Sequence, residues 1–252
     1  MNDSKAPDPS FVRDTYNALL QKLPGSYTAY RWGETPVSRF HFRQSRRALL
    51  RALRFVPKRM ERILEIGGGD GAWTPFFASR AQRLDFLDIS KEMLAGAREA
   101  LTRFRNIQFI EADFLSWTPQ PDAYNMVVSL RNLEYMKDKK AAVLRMASAL
   151  RSGGYLILST KNPQYDWNSY FEGKELHGGQ IPLSDLESLL QRSGFSILRV
   201  YPAIIGKKTK YGPVRILWDV LQILFVCAPA FLVPWWLMRY LSESFLVVAR
   251  RI

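Results

Sequence analysis

The sequence predicts a doubly wound α/β fold, a parallel sheet with helices on both faces. From Arg62 onward, short apolar runs alternate with helical segments, the pattern that covers a parallel sheet twice. The first apolar run ends in Gly67-Gly68-Gly69-Asp70-Gly71 and leads into a helix, a turn that such folds place at a strand's carboxyl end. The chain has 252 residues, 47% of them hydrophobic, enough for one such core with additions.

Each element follows from its local pattern. Residues 10–23 predict a first helix, ended by Pro24-Gly25 and followed by an aromatic stretch with Tyr27, Tyr30, Trp32, Phe40 and Phe42. Residues 43–56 predict a basic amphipathic helix, with Leu49, Leu50, Leu53 and Val56 at helical spacing and Arg47, Arg51 and Arg54 turned elsewhere. Strands are predicted at 62–66, 84–87, 107–110, 125–130, 155–159, 195–201 and 245–249. Helices are predicted at 73–80, 91–105, 139–150 and 183–193, with Arg151-Ser152-Gly153-Gly154 as a turn. This divides the chain into a basic cap at 1–61, a core at 62–203 and 242–252, and an apolar insertion at 204–241. No internal repeat or low-complexity tract is visible.

The formal charge of +13 is unevenly placed. Residues 1–62 hold 13 Lys/Arg against 5 Asp/Glu, and residues 205–252 hold 7 against 2, while 63–204 balance at 16 each. Such an excess suits nucleic acid, an anionic membrane or an acidic substrate. One cysteine, Cys227, excludes a disulfide framework and a sequence-level zinc cluster, so no metal is expected. Residues 1–9 are polar and carry no apolar core of a secretory signal.

Four features of the core carry chemistry. Gly67, Gly69 and Gly71 allow a tight turn and close approach of a ligand to the backbone. Alone, that turn is equally compatible with a dinucleotide or with no ligand. The preceding Glu65 suits the amino-acid end of S-adenosylmethionine better than a pyrophosphate. Asp88 ends the second strand, 19 residues after Gly69, a spacing suited to ribose hydroxyls. Asp113 follows the third strand, placed for an adenine amino group, with Phe114 beside the ring. Ser129-Leu130-Arg131-Asn132 ends the fourth strand, where the ligand crevice of such a sheet forms.

On these residues the chain resembles the class I S-adenosylmethionine-dependent methyltransferases, in the group that includes ubiquinone-pathway and small-molecule enzymes. Residues 62–200 and 244–250 carry the resemblance. Residues 63–71 match the family's first motif, Leu87-Asp88-Ile89-Ser90-Lys91-Glu92-Met93-Leu94 resembles its second, and Leu150-Arg151-Ser152-Gly153-Gly154-Tyr155-Leu156 its late glycine motif, with Ser152 where proline is common. The resemblance implies a Rossmann-like sheet of seven strands, the last antiparallel. It implies S-adenosyl-L-methionine as cofactor, held by Glu65, Gly67, Gly68, Gly69, Gly71, Asp88, Ile89, Met93, Asp113, Phe114 and Leu130. Relatives often read Phe-Asp at the start of the fourth strand and Leu-Glu-His after it. Here the residues are Tyr124-Asn125 and Leu133-Glu134-Tyr135, so a catalytic role for that histidine does not transfer, and Tyr135 is placed to close over the cofactor.

His41 and His177 are candidate general bases, although a lone histidine in such a place is more often a structural hydrogen-bonding group, and Tyr135 stands with them as a catalytic candidate. Val220 to Met238 is a run of 19 uncharged residues, long enough to span a bilayer. If residues 195–201 and 244–250 share one sheet, however, both ends of the insertion lie on one side, which a single crossing cannot satisfy. Pro229 and Pro234 break a continuous helix, Trp235 and Trp236 suit a lipid–water boundary, and Lys207, Lys208, Lys210, Arg215 and Arg239 flank the run. These features read as a monotopic anchor on an anionic membrane surface, against the alternative of a sheet cap or dimer interface. The expectation is a methyltransferase at the cytoplasmic face of a membrane, peripheral or monotopic, acting on a lipid-soluble or lipid-linked small molecule. A soluble enzyme with a hydrophobic lid and a non-catalytic assembly subunit are the alternatives. Nucleic acid is not expected as a partner, because the aromatics lie beside aliphatics and no nucleic-acid motif is present.

Overall fold

The structure is a computed structural model that describes residues 6–163, 170–171, 174–175, 178–205 and 242–252. Seven strands form one sheet: β1 (Met60–Ile66), β2 (Ala81–Asp88), β3 (Ile107–Glu111), β4 (Tyr124–Leu130), β5 (Leu150–Lys161), β8 (Phe195–Ile205) and β9 (Ser242–Arg251). Their order is β3-β2-β1-β4-β5-β9-β8. The first five run parallel, and β9 is antiparallel to both β5 and β8. The expected sheet of seven strands with an antiparallel last strand is therefore present. A two-residue ladder, β6 (Tyr170–Phe171) with β7 (Lys174–Glu175), stands apart from it.

The sheet separates two apolar layers because successive residues of a strand point to opposite faces. Ile63, Met126 and Ile157 meet Leu49 and Ala52 of α3 (Pro36–Ala52), Phe77 of α4 (Thr74–Ala78), and Leu94 and Ala97 of α5 (Lys91–Ala100). Leu64, Val127 and Leu156 meet Val143 and Met146 of α6 (Lys139–Ala149) and Leu186 and Leu190 of α7 (Leu183–Arg192). Burial on both faces explains why β1 and β4 read as continuous apolar runs.

Some predicted boundaries move, each for a local reason. The aromatic stretch contains a helix, α2 (Tyr27–Gly33), whose N-cap Ser26 accepts from Ala29 N–H. Helix α3 begins seven residues earlier than predicted, where Thr35 and Ser38 form a capping box. Of its predicted apolar positions Leu49, Leu53 and Val56 are buried but Leu50 is exposed. Helix α5 ends at Ala100, because Leu101 turns into the core beneath Gly71. The turn predicted at 151–154 lies within β5, where the register against β4 shifts and Gly153 adopts φ +72°. Helix α1 (Pro9–Lys22) matches its predicted position.

Residues 206–241 lie outside the described residues, but their attachment points do not. Ile205 ends β8 and pairs with Ser242, the first residue of β9. Both ends of the insertion therefore meet at one edge of the sheet, the geometry expected of it. Among the described residues, no helix is long and apolar enough to cross a membrane.

Among the interior strands, buried Asp85 accepts from Arg62 Nε and Nη2, Arg83 Nε and Tyr124 Oη, a network that joins β1, β2 and β4. Asp85→Ala removes the shared acceptor of three donors, one of them the fully buried Tyr124. The expected loss is about 2 kcal/mol in urea unfolding, and a loss below a few tenths would show the network to be dispensable.

Candidate cofactor and acceptor site

A cavity of about 600 Å³ opens at the carboxyl ends of β1, β2, β4 and β5. Its inner wall is the glycine turn. Gly67, Gly69 and Gly71 have φ of +66°, +61° and +86°, the left-handed region that side chains disfavour. A Cβ on Gly67 would stand 2.4 Å from Asn132 Cγ, and one on Gly71 2.7 Å from Leu101 Cδ1. A Cβ on Gly68 would stand 2.3 Å from the Phe86 ring. Gly69 differs: only Met93 Sδ, at 3.9 Å, lies near its Cβ position, and the residue lines the cavity.

Asp88 braces this turn. One carboxylate oxygen accepts from Gly69 N–H at 2.8 Å and the other from Ser90 N–H at 2.9 Å. Burial pushes its carboxyl up, and the N–H donors of Ser90, Gly69 and Ile89 oppose that. A carboxylate has about four lone-pair positions, so Asp88 keeps acceptor capacity toward the cavity it lines. Asp113 also lines the cavity, while accepting from Ser116 Oγ at 2.8 Å and Leu115 N–H at 3.3 Å. Phe114, Ile89, Met93 and Leu130 complete this half. Glu65 does not line the cavity. It is buried beside Thr74, and burial raises its carboxyl from 4.5 to about 8.

The outer half is built by the N-terminal helices. Thr28 of α2 donates from both N–H and Oγ1 to Asp70 at 2.6 Å, which docks α2 on the glycine turn. Asn17 of α1 accepts from Ser90 Oγ at 2.6 Å. Tyr16 Oη and Tyr135 Oη lie 2.7 Å apart, and burial raises both phenols, so they stay protonated at neutral pH. Tyr135 thus lies in the cavity wall, tied to α1. Tyr27, Tyr30 and Trp32 extend this aromatic wall, and His41 lines it from α3. His177 lies outside the described residues.

A charged group at the sheet edge completes the cavity. Arg131 follows β4 at φ +60°, held by its N–H to Ser159 O at 2.8 Å and by Nε to Glu134 at 3.1 Å. Thr160 donates to the second Glu134 oxygen. Lys161 ends β5, Glu243 is the second residue of β9, and both line the cavity. The sequence pattern placed Arg131 at the crevice but assigned no role to Asp70, Tyr16, Lys161 or Glu243. For Lys161 a signal existed, a charged residue closing an apolar strand, the same signal that singled out Asp88. For Tyr16 none did, because its role depends on how α1 folds back.

This fold and this crevice define a class I S-adenosylmethionine-dependent methyltransferase domain. A family model described as a methyltransferase domain matches residues 38–200, and the chain belongs to that family. The chain is 30% identical over 115 residues to malonyl-[acyl-carrier protein] O-methyltransferase 2 of Ilyobacter polytropus, covering 45% of this chain and 42% of that protein. It is 32% identical over 105 residues to the ubiquinone biosynthesis O-methyltransferase of Idiomarina loihiensis, covering 40% and 43%. The chain thus spans under half the length of these curated relatives. The crystal structure of N-methyltransferase NodS from Bradyrhizobium japonicum in complex with S-adenosyl-L-homocysteine has the same fold, with a TM-score of 0.58 at 16% identity, covering 94% of this chain and 97% of that one.

The residues present fit S-adenosylmethionine. Gly69 leaves a cradle that a side chain would fill, Asp88 and Asp113 offer acceptors, and Ile89, Met93 and Phe114 offer apolar surface. When bound, that cofactor supplies an electrophilic methyl group, and the protein's part is to align the nucleophile and exclude water.

The glycines separate fold from binding. Gly68→Ala and Gly71→Ala place a Cβ against packed side chains and are expected to cost roughly 1–3 kcal/mol of stability. Gly69→Ala should cost about 1 kcal/mol for its left-handed backbone, and weaken S-adenosylhomocysteine binding in calorimetry at least tenfold. Unchanged affinity would place the cofactor elsewhere.

Glu65 gives a pH test. Its folded value lies above its ordinary one, so its contribution to stability is full below pH 4.5 and is lost as pH rises through about 8. Glu65→Gln should match wild type near pH 4.5 and gain on it by up to about 1.4 kcal/mol per pH unit toward pH 8. Urea melts at several pH values read this, and a constant offset would refute it.

Proposed function

We propose that this methyltransferase acts on a lipid-soluble or lipid-linked acceptor at the cytoplasmic face of a membrane. The observation that carries the reading is the position of the insertion. It leaves the sheet at Ile205 and rejoins at Ser242, and the next residue, Glu243, lines the cavity. Its sequence, with 19 uncharged residues between basic flanks, therefore attaches where the acceptor half of the cavity lies. A lipid-borne group held by that segment has a short path to the methyl donor.

Helix α3 supports the same orientation. Val37, Ser38 and His41, in its first turns, line the cavity, while Arg39, Arg43, Arg46, Arg47, Arg51 and Arg54 are exposed along it. Each Lys or Arg near an anionic bilayer contributes on the order of 1 kcal/mol. The cavity's aromatic wall suits a ring or an unsaturated chain. Both curated relatives are named as O-methyltransferases, which favours an oxygen acceptor.

Pairing of Ile205 with Ser242 makes the insertion removable. With residues 206–241 replaced by a four-residue turn, the protein should keep its S-adenosylhomocysteine affinity and lose flotation with phosphatidylglycerol vesicles. Methyl transfer from radiolabelled S-adenosylmethionine into a lipid extract should fall at least tenfold. Undiminished flotation and lipid labelling would overturn the membrane reading.

A further inference from the structure

Lys161 stands in a place where a lysine is costly. It is the last residue of β5, only 6% exposed, and its side chain lines the cavity. None of the hydrogen bonds among the described residues engages its ammonium. Among the described residues, the charged groups around it are Arg131 after β4, Glu134 in the turn that follows, Glu243 on β9 and Arg31 on α2. Glu134 is already committed to Arg131 and Thr160. A lysine whose stem is buried while its amine, without a hydrogen-bonding partner of its own, opens on a ligand cavity is not explained by packing.

We propose that Lys161 is the catalytic proton acceptor for a hydroxyl acceptor, taking the O–H proton as oxygen is methylated. This rests on the methyl-transfer reading above and specifies its acceptor chemistry. The acceptor's O–H bond breaks, and its proton goes to the lone pair of neutral Nζ, giving an ammonium. The electron pair left on oxygen forms the new bond to the methyl carbon, and the pair of the broken carbon–sulfur bond stays on sulfur. The ammonium then returns its proton to water, so one proton is released per methyl group.

The other candidates at the cavity fit this role less well. Tyr16 and Tyr135 are held protonated by burial. Glu65 does not reach the cavity. For Lys161, burial first and Arg131 second bring the ammonium down to about 7, against the pull of Glu134 and Glu243. An amine so placed is neutral often enough at physiological pH to accept a proton, and general-base assistance contributes about 10²–10⁴-fold.

The test uses the full chain, with two acceptor pools, a membrane lipid extract and catechol. Competitive acetylation read at Lys161 by peptide mass spectrometry, with S-adenosylhomocysteine bound, should give a midpoint near pH 7; a midpoint in the ordinary lysine range overturns the proposal. Lys161→Arg keeps the charge but does not release its proton, and Lys161→Met keeps the length without the amine. Both should bind S-adenosylhomocysteine as wild type does and lose at least about 100-fold in transfer, with the wild-type rise in kcat/KM through about pH 7 abolished. Transfer retained by Lys161→Arg would make Lys161 a cation that binds the acceptor, and the proposal falls. If one variant fails to fold, the other carries the comparison. Transfer to catechol but not to lipid defeats the membrane reading alone, while the Lys161 comparison is still made on catechol.

Discussion

Asp88 holds the glycine turn in a shape that leaves a ligand cradle. Its carboxylate accepts from Gly69 N–H and Ser90 N–H, and so ties the loop after β1 to the loop after β2. Ser90 in turn caps α5, accepting from Met93 N–H, and donates to Asn17 of α1. On the turn's other side Asp70 accepts twice from Thr28. One braced loop thus fixes the start of α5 and the docking of both N-terminal helices. The left-handed backbone of Gly67 and Gly69 is tolerated because these contacts over-determine it.

The cavity divides along this loop. On its inner side the polar groups are acceptors set among apolar side chains, suited to a nucleoside with hydroxyl and amino groups. On its outer side stand aromatic rings from α1 and α2 and a compact group of charges at the ends of β4, β5 and β9. The division has a physical origin. Strand ends of a parallel sheet present loops from many parts of the chain, so the cofactor half uses β1 to β3 and the acceptor half uses whatever closes over the remainder. Among the described residues, the closure comes from the N-terminal helices, held by short hydrogen bonds to buried Asp70 and Ser90.

How much of this was legible followed from what each residue's role depends on. The strands and the glycine turn were readable because their signals are local: period, burial on both faces and backbone conformation all act within a few residues. Asp88, Asp113 and Leu130 were found because strand ends are sequence-visible and topology places them together. Helix α2 was missed, since seven residues rich in aromatics show no helical period, and its N-cap Ser26 lies just after Pro24-Gly25. The early start of α3 was missed because Thr35-Pro36 reads as a breaker, although proline belongs in a helix's first turn. Glu65 was assigned to the cofactor from its position in the motif; the structure buries it beside Thr74, off the cavity lining. Tyr16 and Glu243 lie far from the motifs in sequence and reach the cavity only through the fold.

Charge distribution becomes intelligible once the edges are assigned. The neutral stretch at 63–204 builds most of the sheet and its cofactor half, where stray charge would be buried or would compete with the ligand. The basic excess sits in α3 and around the insertion, and α3 packs on β8, the strand that leads into the insertion. Helix α3 and the attachment point of the insertion are thus brought to the same side of the molecule. Val37, Ser38 and His41 of α3 line the cavity while its arginines are exposed, so the helix sets a basic face beside the cavity. A basic face there is what the proposed delivery of an acceptor from an anionic surface requires.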